Sequence, residues 1–116
     1  ERNLVFNARL ALNRMVREIR QAKNITAQPN STWFNFTDIN NQTINFYQAG
    51  NYLYRNSDEL TSLLDPSEGL IFSYFDATGN ATNNTTLMRQ VNIRLNLKSD
   101  EQAVNVESLV RFRNIN

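Results

Sequence analysis

The sequence predicts an α+β domain in which one N-terminal amphipathic helix packs on an antiparallel β-sheet of four to six strands. Three observations carry this expectation. The apolar spacing is helical from the start of the chain and changes to a period of two after Asn24. Two alternating segments flank the turn residues Ala49-Gly50, which is a hairpin pattern. No long helical stretch recurs among the later segments, so the helix stands apart from the strands.

At 100° per residue, Leu4, Ala8, Ala11, Leu12, Met15, Val16, Ile19 and Ala22 fall in an arc of about 140°, the stripe of a helix lying on a core. Leu4, Ala8, Leu12, Met15, Ile19 and Ala22 are therefore the expected helix–sheet core. Arg9, Arg17 and Arg20 lie opposite, and Arg14 can pair with Glu18 one turn later. Arg20 and Lys23 suit the negative end of the macrodipole, and Asn24 tolerates a left-handed stop, so the helix is expected to occupy residues 1–25. Phe6 breaks the pattern, about 160° from Leu4 and among the arginines.

Trp33–Asp38 (WFNFTD), Thr43–Gln48 (TINFYQ) and Asn51–Arg55 (NYLYR) read as strands. Asp58–Leu64 reads as a short helical turn ended by Asp65-Pro66, and Gly69–Asp76 (GLIFSYFD), apolar on both faces, as a central strand. Residues 77–86 (ATGNATNNTT) are too polar for anything but a loop. Val91, Ile93, Leu95 and Leu97 alternate with Gln90, Asn92, Arg94 and Asn96, and Val104, Val106, Ser108, Val110 and Phe112 repeat the alternation. One sheet face should receive the helix and the other should be wet.

A length of 116 residues suits a single domain, with residues 1–25 as helix and 26–116 as loop and sheet. Net charge is +1, so the chain as a whole is neither a polybasic nor an acidic segment, although residues 1–25 carry six Arg or Lys against Glu1 and Glu18. The absence of His and Cys excludes disulfides, Cys/His zinc sites and His-dependent triads. Asp58-Glu59 and Asp100-Glu101 are the adjacent carboxylate pairs, but consecutive side chains diverge and both pairs sit in expected turns. No phosphate-binding loop, dinucleotide fingerprint or nucleophile elbow occurs. No catalytic residue, metal ligand or cofactor is assigned, and the chain reads as non-enzymatic.

Asp76-Ala77-Thr78-Gly79-Asn80 gathers oxygens around a glycine as a calcium loop does, yet lacks the regular ligand spacing and the closing Glu. A turn after a strand accounts for it. Seven Asn-x-Ser/Thr triplets, starting at Asn24, Asn30, Asn35, Asn41, Asn80, Asn83 and Asn84, fall in a chain with 19 asparagines, several of them in or beside expected strands. They read as products of composition rather than as glycosylation acceptors. The basic helix face admits contact with nucleic-acid phosphates, but only Phe6 interleaves an aromatic ring with it.

The order and wording of the segments resemble the type IV pilin-like proteins, in particular minor pilins and the pseudopilins of type II secretion. The resemblance rests on Arg14-Met15-Val16-Arg17-Glu18-Ile19-Arg20-Gln21-Ala22, on Tyr52-Leu53-Tyr54-Arg55 and on Gly69-Leu70-Ile71-Phe72-Ser73-Tyr74-Phe75-Asp76 with its glycine turn. Arg89-Gln90-Val91-Asn92-Ile93 and Val110-Arg111-Phe112-Arg113-Asn114 complete it, so that most of the chain is covered in order.

The resemblance implies a non-enzymatic structural subunit that acts by assembly near the tip of a bacterial pilus or secretion filament, with other pilin or pseudopilin subunits as partners. It implies a methylated N-terminus and an upstream hydrophobic helical half. That half holds the subunit in the inner membrane before assembly into a periplasmic or cell-surface filament, and it is absent from this sequence. Arg2, Phe6 and Arg9 are then expected to pack against neighbouring subunits, because a helix lying only on its own sheet has no reason to expose Phe6. The alternative expectation is a module that binds DNA or a surface ligand in an uptake or adhesion apparatus.

Overall fold

A computed structural model describes residues 3–26 and 28–115. The chain is α+β, as expected, with a single N-terminal helix among the described residues. Helix α1 (Asn3–Ile19) is followed by strands β1 (Ala22–Ile25), β2 (Trp33–Asp38), β3 (Thr43–Ala49), β4 (Tyr52–Arg55), β5 (Asp58–Thr61), β6 (Leu70–Phe75), β7 (Gln90–Lys98) and β8 (Ala103–Arg111). All pairings are antiparallel, in a five-stranded sheet β1-β2-β3-β4-β5 and a three-stranded sheet β6-β7-β8. The one sheet of four to six strands expected from sequence is thus two sheets of purely local connections.

Three further expectations are corrected. The helix stops at Ile19, not near Asn24, because Gln21 N–H turns back to Glu18 O and residues 22–25 gain a ladder with β2 that a helix would forgo. Ala22 is fully buried as expected, but from a strand. Asp58–Thr61 is a strand, closed on β4 by a two-residue loop in which Asn56 adopts φ +55°, rather than a helical turn. The segment Gly69–Asp76 supplies β6, which lies beside the central strand β7 and is not itself central.

The helix stripe is the lid of a shared core. Leu4, Ala8, Ala11, Leu12, Met15 and Ile19 are buried and pack mainly on β8 and β7, with further contacts to β5 and β2, so α1 touches both sheets. Beneath it, Phe34 joins the sheets. Its ring lies 5.3 Å from Phe36 in its own strand and 5.7, 5.6 and 5.9 Å from Phe72, Tyr74 and Phe112 on the other side. Glu18 ties the last helical turn to the β3–β4 hairpin, since its carboxylate accepts from Arg14 Nε at 2.8 Å and from Arg55 Nε at 2.5 Å.

The seam between the sheets is closed by hydrogen bonds. Gln48 Oε1 accepts from Leu70 N–H, and Gln48 Nε2 donates to the carbonyls of Asp65 and Gly50. Ser31 O accepts from Phe72 N–H of β6 while Thr32 O accepts from Gln48 N–H of β3, so one short loop serves both sheets. Residues 63–65 run along the far end of β7, through Lys98 N–H to Leu63 O and Asp65 N–H to Asn96 O.

Gly69 sits inside this seam. A Cβ there would lie 2.5 Å from Asp65 O and 2.6 Å from Leu64 Cβ, neither of which can move away independently. Gly69→Ala is therefore expected to destabilise the fold by about 1–3 kcal/mol, the usual cost of forcing a group into a packed site. A denaturant titration showing an unchanged midpoint would mean that the seam is looser than described here.

Candidate functional site

Among the described residues the two adjacent carboxylate pairs lie on different elements. Asp58-Glu59 lies on β5, and Asp100-Glu101 lies in the turn between β7 and β8, where Ser99 N–H bonds Gln102 O. Among the described residues no group of three or more acidic side chains is placed to hold a metal. Asp76 Oδ1 accepts from Thr78 N–H, Thr78 Oγ1 and Asn80 N–H, so the loop that resembles a calcium site is closed as a turn through this one carboxylate oxygen. Asp65 does the same with Ser67 N–H and Oγ.

These bonds favour the ionised carboxylates. Asp76 is held below its ordinary pKa by Thr78 Oγ1 first and then by the loop N–H groups, and Asp65 by the Ser67 N–H and hydroxyl. Burial pushes the Tyr74 phenol up, and its hydroxyl donates to Asn30 O at 3.0 Å and Trp33 O at 3.3 Å.

Two surfaces stand out. The first is the outer side of α1. Phe6 is 60% exposed, with Arg9 exposed beside it, while Arg2 lies outside the described residues. Leu10, 53% exposed and about 40° from Phe6 around the helix, extends this side, while Val5, 43% exposed, lies at the margin of the core stripe beside Leu12. Phe6 and Leu10 are one turn apart and so adjacent on the helix. Leu10 also borders a shallow groove of about 480 Å³ between α1 and β5, lined by Arg14, Arg17, Glu59 and Leu60 among others. The expected core partners Leu4, Ala8, Leu12, Met15 and Ile19 are all turned the other way. Leu10 was legible as an apolar residue opposite the stripe, by the same periodicity that turns Phe6 outward.

The second surface is the outer face of the five-stranded sheet. Phe34, Phe36, Phe46 and Leu53 point inward, so the alternate positions Trp33, Tyr47, Tyr52 and Tyr54 point outward. Register sets Trp33 opposite Tyr47 and Tyr47 opposite Tyr54. The Tyr47 and Tyr54 rings stack at 5.3 Å and 22°, with Tyr52 5.9 Å from Tyr54. Tyr47 Oη donates to Asn56 O. Asn35 and Asn45 adjoin the row in register on the same face, and Asn45 Oδ1 is buried without a hydrogen-bond partner. Sequence reasoning treated this face only as wet. The signal was present in the rings at outward positions of WFNF, NFYQ and NYLY.

A cleft of about 780 Å³ also opens beside β6, between Pro29–Ser31 and Ala81–Asn83. Tyr74 and Met88 form part of its floor, and no charged side chain lines it. Among the described residues no helix is long and apolar enough to cross a membrane. Comparison with family models, curated proteins and solved structures returned no match to this chain.

The titration behaviour yields a sign. Because Asp65 and Asp76 bind protons less readily folded than unfolded, stability is full above the unfolded carboxylate range and declines as pH falls through the lower folded values. The thermal midpoint is expected to drop on acidification below about pH 4. Asp76→Asn, which keeps an acceptor oxygen for Thr78 and Asn80, should make that drop shallower while leaving the midpoint near pH 7 little changed. An identical acid profile in the variant would remove Asp76 from the account.

Proposed function

We propose that this domain is a non-enzymatic structural subunit, a minor pilin or pseudopilin, of a bacterial type IV pilus or type II secretion filament, acting by assembly near the filament tip. The observation that carries the reading is the outer face of α1. Leading a helix-first α+β chain, that face exposes Phe6 and Leu10 on the side that also carries Arg9 and Arg17, while the opposite face is buried in the core. A helix apolar on two sides needs a second neighbour, and in a filament of this kind neighbouring subunits supply it. On this reading the protein resides in the inner membrane before assembly and in a periplasmic or surface filament afterwards. Its partners are other subunits of the same class.

The reading is tested in cells that make the filament from the full-length protein. Phe6→Ala and Leu10→Ala should each leave the unfolding free energy of the domain within about 0.5 kcal/mol of the parent, as surface substitutions do. Filament yield, scored by shearing and electron microscopy, should fall markedly. Full assembly by both variants, or a loss of several kcal/mol in stability, would count against α1 as the packing surface.

A second reading, a surface-ligand-binding module, is favoured by one observation. The aromatic row Trp33, Tyr47, Tyr54 and Tyr52 is flanked by Asn35 and Asn45, and stacked rings beside side-chain amides suit a neutral ligand with flat apolar faces and hydroxyls. The helix arginines lie on a different element, so this row offers little to DNA. Trp33 is the single tryptophan, which makes its emission a direct reporter. Titration with neutral polysaccharides should shift that emission in the parent and in Phe6→Ala but not in Tyr54→Ala. A silent parent would dispose of the second reading.

A further inference from the structure

Strand β8 is nine residues long and lies at the edge of the three-stranded sheet. The phase of its hydrogen bonds can be read from both ends of the β7–β8 ladder. Ser99 N–H bonds Gln102 O before the ladder, and Phe112 N–H bonds Arg89 O after it. Odd-numbered residues of β7 therefore bond even-numbered residues of β8. The N–H and C=O groups of Ala103, Asn105, Glu107, Leu109 and Arg111 consequently point away from β7. Among the described residues none of these groups has a backbone or side-chain partner beyond the ladder.

The opposite edge of the same sheet is treated differently. The outer edge of β6 is occupied by Ser31 O on Phe72 N–H, Gln48 Oε1 on Leu70 N–H, and Thr82 N–H on Tyr74 O. Folded proteins commonly cover or interrupt long edges, and β8 contains no proline and, among the described residues, no segment hydrogen-bonded along its outer edge. Its outer-face side chains are Asn105, Glu107, Leu109 and Arg111, with Leu109 56% exposed.

We infer that β8 pairs antiparallel with β8 of a second copy of this chain, in the register that places Leu109 opposite Leu109 and Glu107 opposite Arg111. Two independent constraints select that register. The free backbone groups belong to odd-numbered residues, so hydrogen bonds form only when odd residues face odd residues, and the Leu109 register satisfies this. The same register puts each Glu107 carboxylate opposite the second copy's Arg111 guanidinium, twice by symmetry, with the two exposed leucines in contact between them. Within one chain Arg111 makes no ion pair among the described residues, and Glu107 accepts only from Asn92 Nδ2. Shifting the register by two residues sets Glu107 opposite Leu109 in one direction; in the other, Glu107 faces Arg113, which lies beyond the end of β8, and Arg111 faces Leu109, so that only the Leu109 register places both charge pairs within the strands. The product is a continuous six-stranded sheet. The contact uses strand backbone rather than the outer side of α1, so it does not depend on the filament reading.

The test is sedimentation velocity on this 116-residue chain from about 1 μM to about 1 mM. A concentration-dependent dimer is expected. Glu107→Arg and Arg111→Glu should each weaken it at least tenfold, and the double substitution should restore it, because the exchanged charges again face their opposites. Phe6→Ala should leave the dimer unchanged. Circular dichroism and thermal midpoints confirm that each variant is folded. A chain that stays monomeric throughout, a dimer indifferent to Glu107→Arg, or a folded double variant that fails to recover would each overturn the proposal.

Discussion

The packing of Phe34 between the two sheets is the contact on which the rest of the architecture depends. Each sheet has one apolar face, and such a face must be covered by another layer. Phe34 lies in β2, yet its ring touches Phe72 and Tyr74 of β6 and Phe112 beyond β8. A fully buried ring of this kind contributes about 1.5–3 kcal/mol from burial alone, and here that contribution joins elements far apart in sequence. The helix then lies across both sheets as a common cover.

Polar geometry at the seam makes this union specific. Apolar packing tolerates sliding, whereas Gln48 does not, because its amide must meet Leu70 N–H on one side and the Asp65 carbonyl on the other. The absent side chain at Gly69 lets the Asp65 carbonyl and the Gln48 amide close in. Glu18 performs a similar service at the helix end, where two arginines from different elements share one carboxylate. Each is a largely buried, charge-assisted or amide bond whose loss leaves an unpaired group behind, so it selects one relative placement among many that would bury similar area.

With the inward faces consumed in this way, the outward positions are free for other work. They are not uniformly polar. Alternation along β2, β3 and β4 sends Trp33, Tyr47, Tyr52 and Tyr54 outward, and cross-strand register turns those scattered positions into one row. The helix likewise presents apolar residues on the side away from the sheets. The acidic residues, by contrast, are spent locally, with Asp38, Asp65 and Asp76 each holding a turn through its own carboxylate oxygen. Among the described residues no group of three or more acidic side chains is placed to hold a metal.

Much of the fold was legible because it depends on nearest-neighbour chemistry. The helical stripe from Leu4 to Ile19, the strands β2, β3, β4, β7 and β8, the hairpin at Gly50 and the polar loop after Asp76 all follow from periodicity and turn residues. So do the exposure of Phe6 and the pair Arg14–Glu18. What was not legible depends on contacts made at a distance. Ala22–Ile25 carries a helical pattern but is drawn into a strand by β2, and Asp58–Thr61 is too short for its period to distinguish strand from helix until β4 pairs with it. The division into two sheets, the seam at Gln48 and Gly69, the aromatic row and the open edge of β8 are relations between segments. Sequence alone determined which residues turn inward along each element, because side-chain direction is a property of local backbone geometry. Only the tertiary structure decided which elements share a sheet and which faces and edges remain unpartnered, because those outcomes depend on hydrogen bonds and packing that no single segment contains.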